Sequence, residues 1–351
     1  MSTLALPPLS PWQARMHAQA IAALDGGRLG HGLLFCGPAR LGKRALAERL
    51  ARRMLCPQRD AAGEACGRCR SCLLFAHRDQ RDPLEVRPDG SPSHPWGHAG
   101  HPDLMLIGHE INDKTGKPRT EIVIEQIRRL SEKLALTPQY GGAQIAILDP
   151  ADAINHAACN ALLKTLEEPQ PGRYLWLISA DPARLPATIR SRCQRLEFRL
   201  PPLAEALAWL CAQGHAETAA REALEAARGH PGLAEAWLRD GGLALRREVA
   251  DDLQALGRGQ RSALETAQRW YAAGDADPRL RHAADLALAE AARLTDPAGI
   301  RTLAGWFDAA NRTRDLLRTT VRADLALAEL LAQWRGAASG AASGKTSGGR
   351  A

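Results

Sequence analysis

Apolar residues along the first two hundred positions follow two alternating rhythms. Short runs at Leu33–Cys36, Leu104–Ile107, Gln144–Leu148, Tyr174–Ile178 and Leu196–Leu200 predict buried strands. Between them, Leu46, Leu50 and Met54 recur at helical spacing, as do Ile127, Leu130 and Leu134, and then Ile154, Ala158, Leu162 and Leu166. Strands alternating with amphipathic helices predict an α/β domain with a mostly parallel sheet. From Pro201 the rhythm becomes Ala- and Leu-rich helix punctuated by Gly229, Pro231, Gly241-Gly242 and Pro278, with no strand pattern. This predicts an α/β domain over 1–200, a small helical domain over 201–241 and an all-α domain over 242–335. The Gly-, Ala- and Ser-rich tail, 336–351, cannot bury enough surface to offset its ordering entropy and is expected to be disordered.

Composition changes this picture little. The chain has 351 residues, 45% of them hydrophobic, enough for more than one core. No run reaches the roughly 18 apolar residues of a membrane span, and the N-terminus lacks a signal-peptide pattern, so a cytoplasmic protein is expected. The net charge of +7 suits a nucleic-acid partner, but it is spread without a basic block or an aromatic-interleaved basic patch. The eight cysteines argue for metal binding rather than disulfides because three of them cluster at 66, 69 and 72.

Candidate chemistry begins at Gly37-Pro38-Ala39-Arg40-Leu41-Gly42-Lys43-Arg44, a G-x-x-x-x-G-K string between a predicted strand and a predicted helix. In that context the loop's backbone N–H groups and the helix N-terminus cradle phosphate, and Lys43 reaches the outer phosphates. The position after the lysine ordinarily supplies a hydroxyl to Mg²⁺, whereas Arg44 brings only donors and a like charge. Downstream, the strand Gln144–Leu148 ends at Asp149, placed as a Mg²⁺-associated carboxylate. It is followed by Pro150, which has no group to polarise a water. Gly37, Gly42, Lys43 and Asp149 thus form a degenerate nucleotide site, with no intrinsic ATPase expected and ATP or ADP binding open. Asp152 is expected to cap the following helix.

Cys56, Cys66, Cys69 and Cys72 follow a C-x9-C-x2-C-x2-C spacing, which lets a short segment surround one tetrahedral ion with four thiolates. The expectation is a structural Zn²⁺ with no open coordination position. Between Gln80 and Pro102, a Pro-, Gly- and His-rich stretch with His94, His98 and His101 is read as an irregular surface insertion rather than a metal site.

Two further strings, Asn160-Ala161-Leu162-Leu163-Lys164-Thr165-Leu166-Glu167-Glu168-Pro169 and Ser191-Arg192-Cys193, resemble the bacterial DNA polymerase III clamp-loader family of the AAA+ superfamily. Pro11-Trp12-Gln13, the four-cysteine module, His101-Pro102-Asp103-Leu104 and Ile124-Glu125-Gln126-Ile127-Arg128 support the resemblance. It implies an α/β AAA+ domain with an inserted zinc module, a helical lid and an all-α C-terminal collar. It implies that Arg192, flanked by Ser191 and Cys193, acts as an arginine finger on a neighbouring subunit's ATP. The implied partners are the motor subunits gamma or tau, the delta subunit, a sliding clamp and primed DNA. Family motors carry a sensor arginine at the start of a lid helix; Leu233 stands in the equivalent stretch here, and Ser179 falls where a polar sensor follows the fourth strand. The missing hydroxyl and glutamate resemble a non-motor member, a subunit of an ATP-driven clamp-loading machine that does not itself hydrolyse ATP.

Overall fold

A computed structural model describes residues 7–61, 63–140, 142–317 and 322–346. It divides into two compact units, one up to Glu235 and one from Ala236.

The first unit runs α1 (Pro11–Asp25), β1 (Gly32–Cys36), α2 (Lys43–Leu55), α3 (Arg70–Ala76), β2 (Arg78–Asp79), β3 (His98–Ala99), β4 (Leu104–Ile107), α4 (Ile124–Ala135), β5 (Gln144–Leu148), α5 (His156–Glu167), β6 (Arg173–Ser179), α6 (Ala187–Arg190), β7 (Gln194–Glu197), α7 (Leu203–Ala212) and α8 (Glu217–Ala226), and the division falls within α9 (Pro231–Asp240). Five strands form a wholly parallel sheet in the order β4-β5-β6-β1-β7. Because strand side chains alternate faces, Leu33 and Phe35 of β1 enter one core, with Ile145, Ile147 and Trp176 and with Leu46 and Leu50 of α2. Their neighbours Leu34 and Cys36 enter the opposite core, with Ala146, Leu148, Leu175 and Leu177 and with helices α4 and α5. Burial on both faces explains the near-continuous apolar runs.

The last strand differs from its sequence pattern. It covers Gln194–Glu197 instead of Leu196–Leu200 because its partner β1 pairs from Leu33 and ends at Cys36, where the chain turns away. Phe198 makes one more bond, its N–H donating to Cys36 O, and beyond it the strand has no neighbour to follow. The insertion between β2 and β3 is irregular, as expected, but it is not a surface loop throughout. Glu85, Ser93 and His94 are buried, and just past it His101 is 1% exposed, its Nε2 2.8 Å from Ser71 Oγ.

The second unit holds α10 (Gly242–Gly257), α11 (Ala263–Ala272), α12 (Ala276–Ala291), α13 (Pro297–Leu316) and α14 (Ala323–Thr346). Its core is built on Leu253, Leu280, Leu303 and Leu331 with Trp270, Trp306 and Trp334. Each indole N–H finds an acceptor: Asp252 Oδ2 at 2.8 Å, Leu330 O at 3.0 Å and Leu253 O at 2.7 Å. Of the tail expected from 336, α14 reaches Thr346, and 347–351 lie outside the described residues.

Candidate functional site: a phosphate cradle closed by arginines

The Gly37–Lys43 loop links β1, a central strand of the sheet, to α2, with Asp149 arriving from the end of β5. This is the carboxyl edge of the sheet, where open α/β folds bind ligands. The loop is braced from two sides. The side chains of Trp12 and Gln13 on α1 donate to Leu41 O at 3.3 and 3.0 Å, and Gln13 also accepts from the Ser10 N–H at the helix start. Gly42 has φ +81°, and a Cβ there would overlap the Gln13 amide. At the start of α9, a Cβ on Gly232 would lie 1.9 Å from Arg40 O, so the helix meets the loop backbone directly. The dipeptide Trp12-Gln13 therefore works as a strut under the cradle.

Lys43 does not reach outward. Its Nζ donates to Gly37 O and Pro38 O, both at 2.6 Å, folding the ammonium onto its own loop. Burial lowers its pKa to about 8, against the pull of Asp149 and Asp152. Arg44 turns into the protein, its Nε 2.5 Å from Glu48 Oε1 and its Nη1 3.1 Å from Asp149 Oδ2. Arg87 reaches the same Asp149 oxygen at 3.0 Å, and Arg78 holds the other Glu48 oxygen at 2.8 Å. Glu48 is fully buried and Asp149 is 5% exposed. Burial alone draws Arg44 down, but Glu48 and Asp149 outweigh it and hold the guanidinium above its ordinary value. Two guanidiniums thus stand against the carboxylate that would face Mg²⁺. A pocket of about 450 Å³ lies over this network, lined by Lys43, Arg44, Arg87, Trp96, Asp149 and Trp209 among others.

Glu48, Arg78 and Arg87 escape the sequence reading. The Arg44–Glu48 pair is legible in principle, since i and i+4 share a helix face. Arg87 lies in the irregular insertion, where no periodicity places it. Asp152 is not the helix cap. A 3-10 turn over Ala151–Ala153 intervenes and moves the start of α5 on, so Asn155 caps it by accepting from the Ala158 N–H at 2.9 Å. Asp152 instead accepts from the Ala180 N–H, at 3.2 Å, joining the ends of β5 and β6. Ser179 is fully buried and its hydroxyl has no partner. Leu233 lies in the first turn of α9.

Cys56, Cys66, Cys69 and Cys72 converge, their sulfurs all within 4.8 Å of one another. The Cys56 Sγ lies 3.6 Å from that of Cys66 and 3.7 Å from that of Cys69, against the roughly 3.8 Å edge of a tetrahedron with Zn–S bonds of about 2.3 Å. The N–H groups of Cys66, Cys69 and Cys72 donate to Cys56, Cys66 and Cys69 sulfurs, as suits thiolates. Without an ion, Cys66 and Cys72 are pulled apart: burial pushes Cys72 up to about 12, while the N–H groups of Arg68 and Cys69 draw Cys66 down to about 6. A divalent cation removes that conflict, and the four-sulfur set fits a structural metal.

Ser191-Arg192-Cys193 joins α6 to the edge strand β7. Cys193 packs inward, its thiol pushed up to about 11 by burial, and the Ser191 hydroxyl donates to Thr188 O. Arg192 stays at the surface, its side chain 37% exposed, with Nη2 2.7 Å from Glu167 Oε1. The string therefore turns Cys193 inward and leaves Ser191 and Arg192 at the surface.

Residues 12–202 match the family described as "DNA polymerase III, delta subunit". The chain is 37% identical to the DNA polymerase III subunit delta' of Pseudomonas aeruginosa over 265 residues, 74% of this chain and 70% of the relative. It is 32% identical to the Escherichia coli subunit delta' over 226 residues, 64% of this chain and 59% of that one. It is also 31% identical to subunit gamma/tau of Mycobacterium tuberculosis over 204 residues, 57% of this chain but 30% of the relative. No helix among the described residues is long and apolar enough to cross a membrane. With its parallel sheet, cysteine cluster and modified cradle, the chain belongs to the delta-prime family of DNA polymerase III clamp-loader subunits.

Proposed function

We propose that this chain is the non-hydrolysing, stator-like member of the clamp-loading complex, completing a neighbouring subunit's ATP site with Arg192. The observation that carries the reading is the pairing of Asp149 with Arg44 and Arg87. A carboxylate held by two guanidiniums is a poor Mg²⁺ ligand, and Pro150 cannot polarise water. A planar guanidinium on an edge of the sheet, held at the surface by Glu167, Thr188 O and the Ser191 hydroxyl, suits delivery to γ-phosphate oxygens across a subunit boundary. In this reading residues 1–200 are the AAA+ domain, 201–241 a lid and 242–335 a collar. The cysteine module holds Zn²⁺, and the partners are gamma or tau, delta, the sliding clamp and primed DNA.

The test is ATP turnover. The purified chain alone hydrolyses no ATP above the level of its Lys43→Ala variant. In a complex reconstituted with gamma or tau and delta, Arg192→Ala lowers hydrolysis at the adjoining site by on the order of 10³-fold while assembly persists. Turnover by the isolated chain that Lys43→Ala abolishes, or an unchanged rate in the Arg192→Ala complex, refutes the proposal.

A further inference from the structure

The insertion between β2 and β3 carries a second cluster of ligating side chains, separate from the four cysteines. Glu85 and His94 are 4% and 2% exposed, and His98 is tied to β2 by its strand pairing with Asp79. The ligand atoms of Glu85, His94 and His98 lie within 4.8 Å of one another. Glu85 Oε2 is 2.7 Å from His98 Nε2 and 3.5 Å from His94 Nε2, so one carboxylate oxygen faces both rings. Its other oxygen, Oε1, is held by Arg81 Nη1 at 2.8 Å, which fixes the orientation of the carboxylate. The decisive feature is His94, whose two ring nitrogens are both buried and both without a hydrogen-bond partner. A buried imidazole ordinarily satisfies at least one nitrogen; here Nε2 comes no nearer than 3.5 Å to Glu85 and the ring leans on that of His98, centroids 4.1 Å apart, so another ligand is called for.

We propose that Glu85, His94 and His98 form a second metal site for a divalent ion of the zinc type, bound through Glu85 Oε2 and one ring nitrogen of each histidine. Two imidazoles and a carboxylate are a donor set of this class, and three protein ligands leave a fourth position for water. Glu85 and His98 line a groove together with Arg81 and Glu110. Tetrahedral bonds of about 2.0–2.1 Å place ligand atoms about 3.3 Å apart. The His94 contact is already near that spacing, and the His98 contact opens by roughly 0.6 Å as the metal replaces the hydrogen bond. His98 then carries its proton on Nδ1. The neighbouring cations do not oppose this unshielded: Arg81 is paired with Glu85, Arg87 with Asp149, and Arg44 with both Glu48 and Asp149. The metal would brace the segment that delivers Arg87 to the cradle.

Titration of the full-length, metal-stripped chain with Co²⁺ tests this. Two equivalents are expected, one with the intense charge-transfer absorption of a tetrathiolate and one with only the weaker bands of nitrogen and oxygen ligands. His98→Ala and Glu85→Gln each reduce the stoichiometry from two to one and keep the thiolate absorption, which also reports that the variant is folded nearby. Cys69→Ser perturbs the thiolate absorption and leaves the second equivalent in place. A wild-type stoichiometry of one, or a second equivalent that survives both His98→Ala and Glu85→Gln, overturns the proposal; if either variant fails to fold, the wild-type titration still decides.

Discussion

Asp149 shows how the neighbours of a carboxylate set what it can do. Its carboxylate sits at the end of β5 at the mouth of the cradle, but Arg44 supplies the positive charge that a metal would bring. Restoring a hydroxyl is therefore insufficient: Arg44→Thr strips Glu48 of one of its two guanidiniums and leaves Asp149 with Arg87 alone. Removing one partner of a buried ion pair costs about 3–5 kcal/mol, and urea unfolding of Arg44→Thr is expected to show a loss of that order with no gain of ATP turnover. A loss below about 1 kcal/mol shows that the network is not the buried, interlocked set described above. Half of this network could be read along the helix, since Arg44 and Glu48 are one turn apart; Arg78 and Arg87 could not, because they come from separate segments that meet only in the folded chain.

Among the elements, the segment from Cys56 to Ala76 is the one expected to depend on a bound ion for its order. It is short, and its helix α3 has seven residues, too few to be stable in isolation. The Cys69 sulfur caps α3 by accepting from the Cys72 N–H, so one sulfur of the four-cysteine cluster also starts the helix. Cys69→Ser, or chelation, should therefore raise hydrogen exchange sharply over 56–76 while β1, β5 and β6 keep their protection. Uniform loss of protection across the sheet would mean that the module supports the whole unit. The cysteine cluster was legible because ligand spacing is local, and so were β4 and β5, whose apolar runs match their pairing. β7 was not legible at its ends, because its register belongs to β1, and the apolar alternation of Leu196, Phe198 and Leu200 continues past the partner.

Across the whole molecule both units bury charge in interlocking pairs, Glu48 and Asp149 with arginines in the first and Asp252 with Arg261 and Arg269 in the second. The second adds a helical core closed around three tryptophans, with the buried His282 packed against Trp237. Burial lowers His282 to about 4, helped by Arg246, Arg281 and Arg279. The unfolded histidine takes up a proton near pH 6.5, which the folded one refuses until about 4. Between those values the unfolded state binds more protons, so the second unit loses stability as pH falls through that window and is unaffected by His282 above it. Thermal unfolding from pH 7.5 to 4.5 should show this slope, and His282→Gln should flatten it; an equal slope in the variant would assign the effect to other groups.

Local spacing in the chain was enough to specify the Gly37–Lys43 loop between strand and helix, the four-sulfur set and the change from α/β to all-helical architecture, because each is written in residues a few positions apart. The opposition of Arg87 to Asp149, the strut from Trp12 and Gln13, the replacement of Asp152 by Asn155 as cap and the gathering of Glu85, His94 and His98 depend on folding. These bring together segments with no shared periodicity, and which charges meet in a low-dielectric interior is settled by packing rather than by order along the chain.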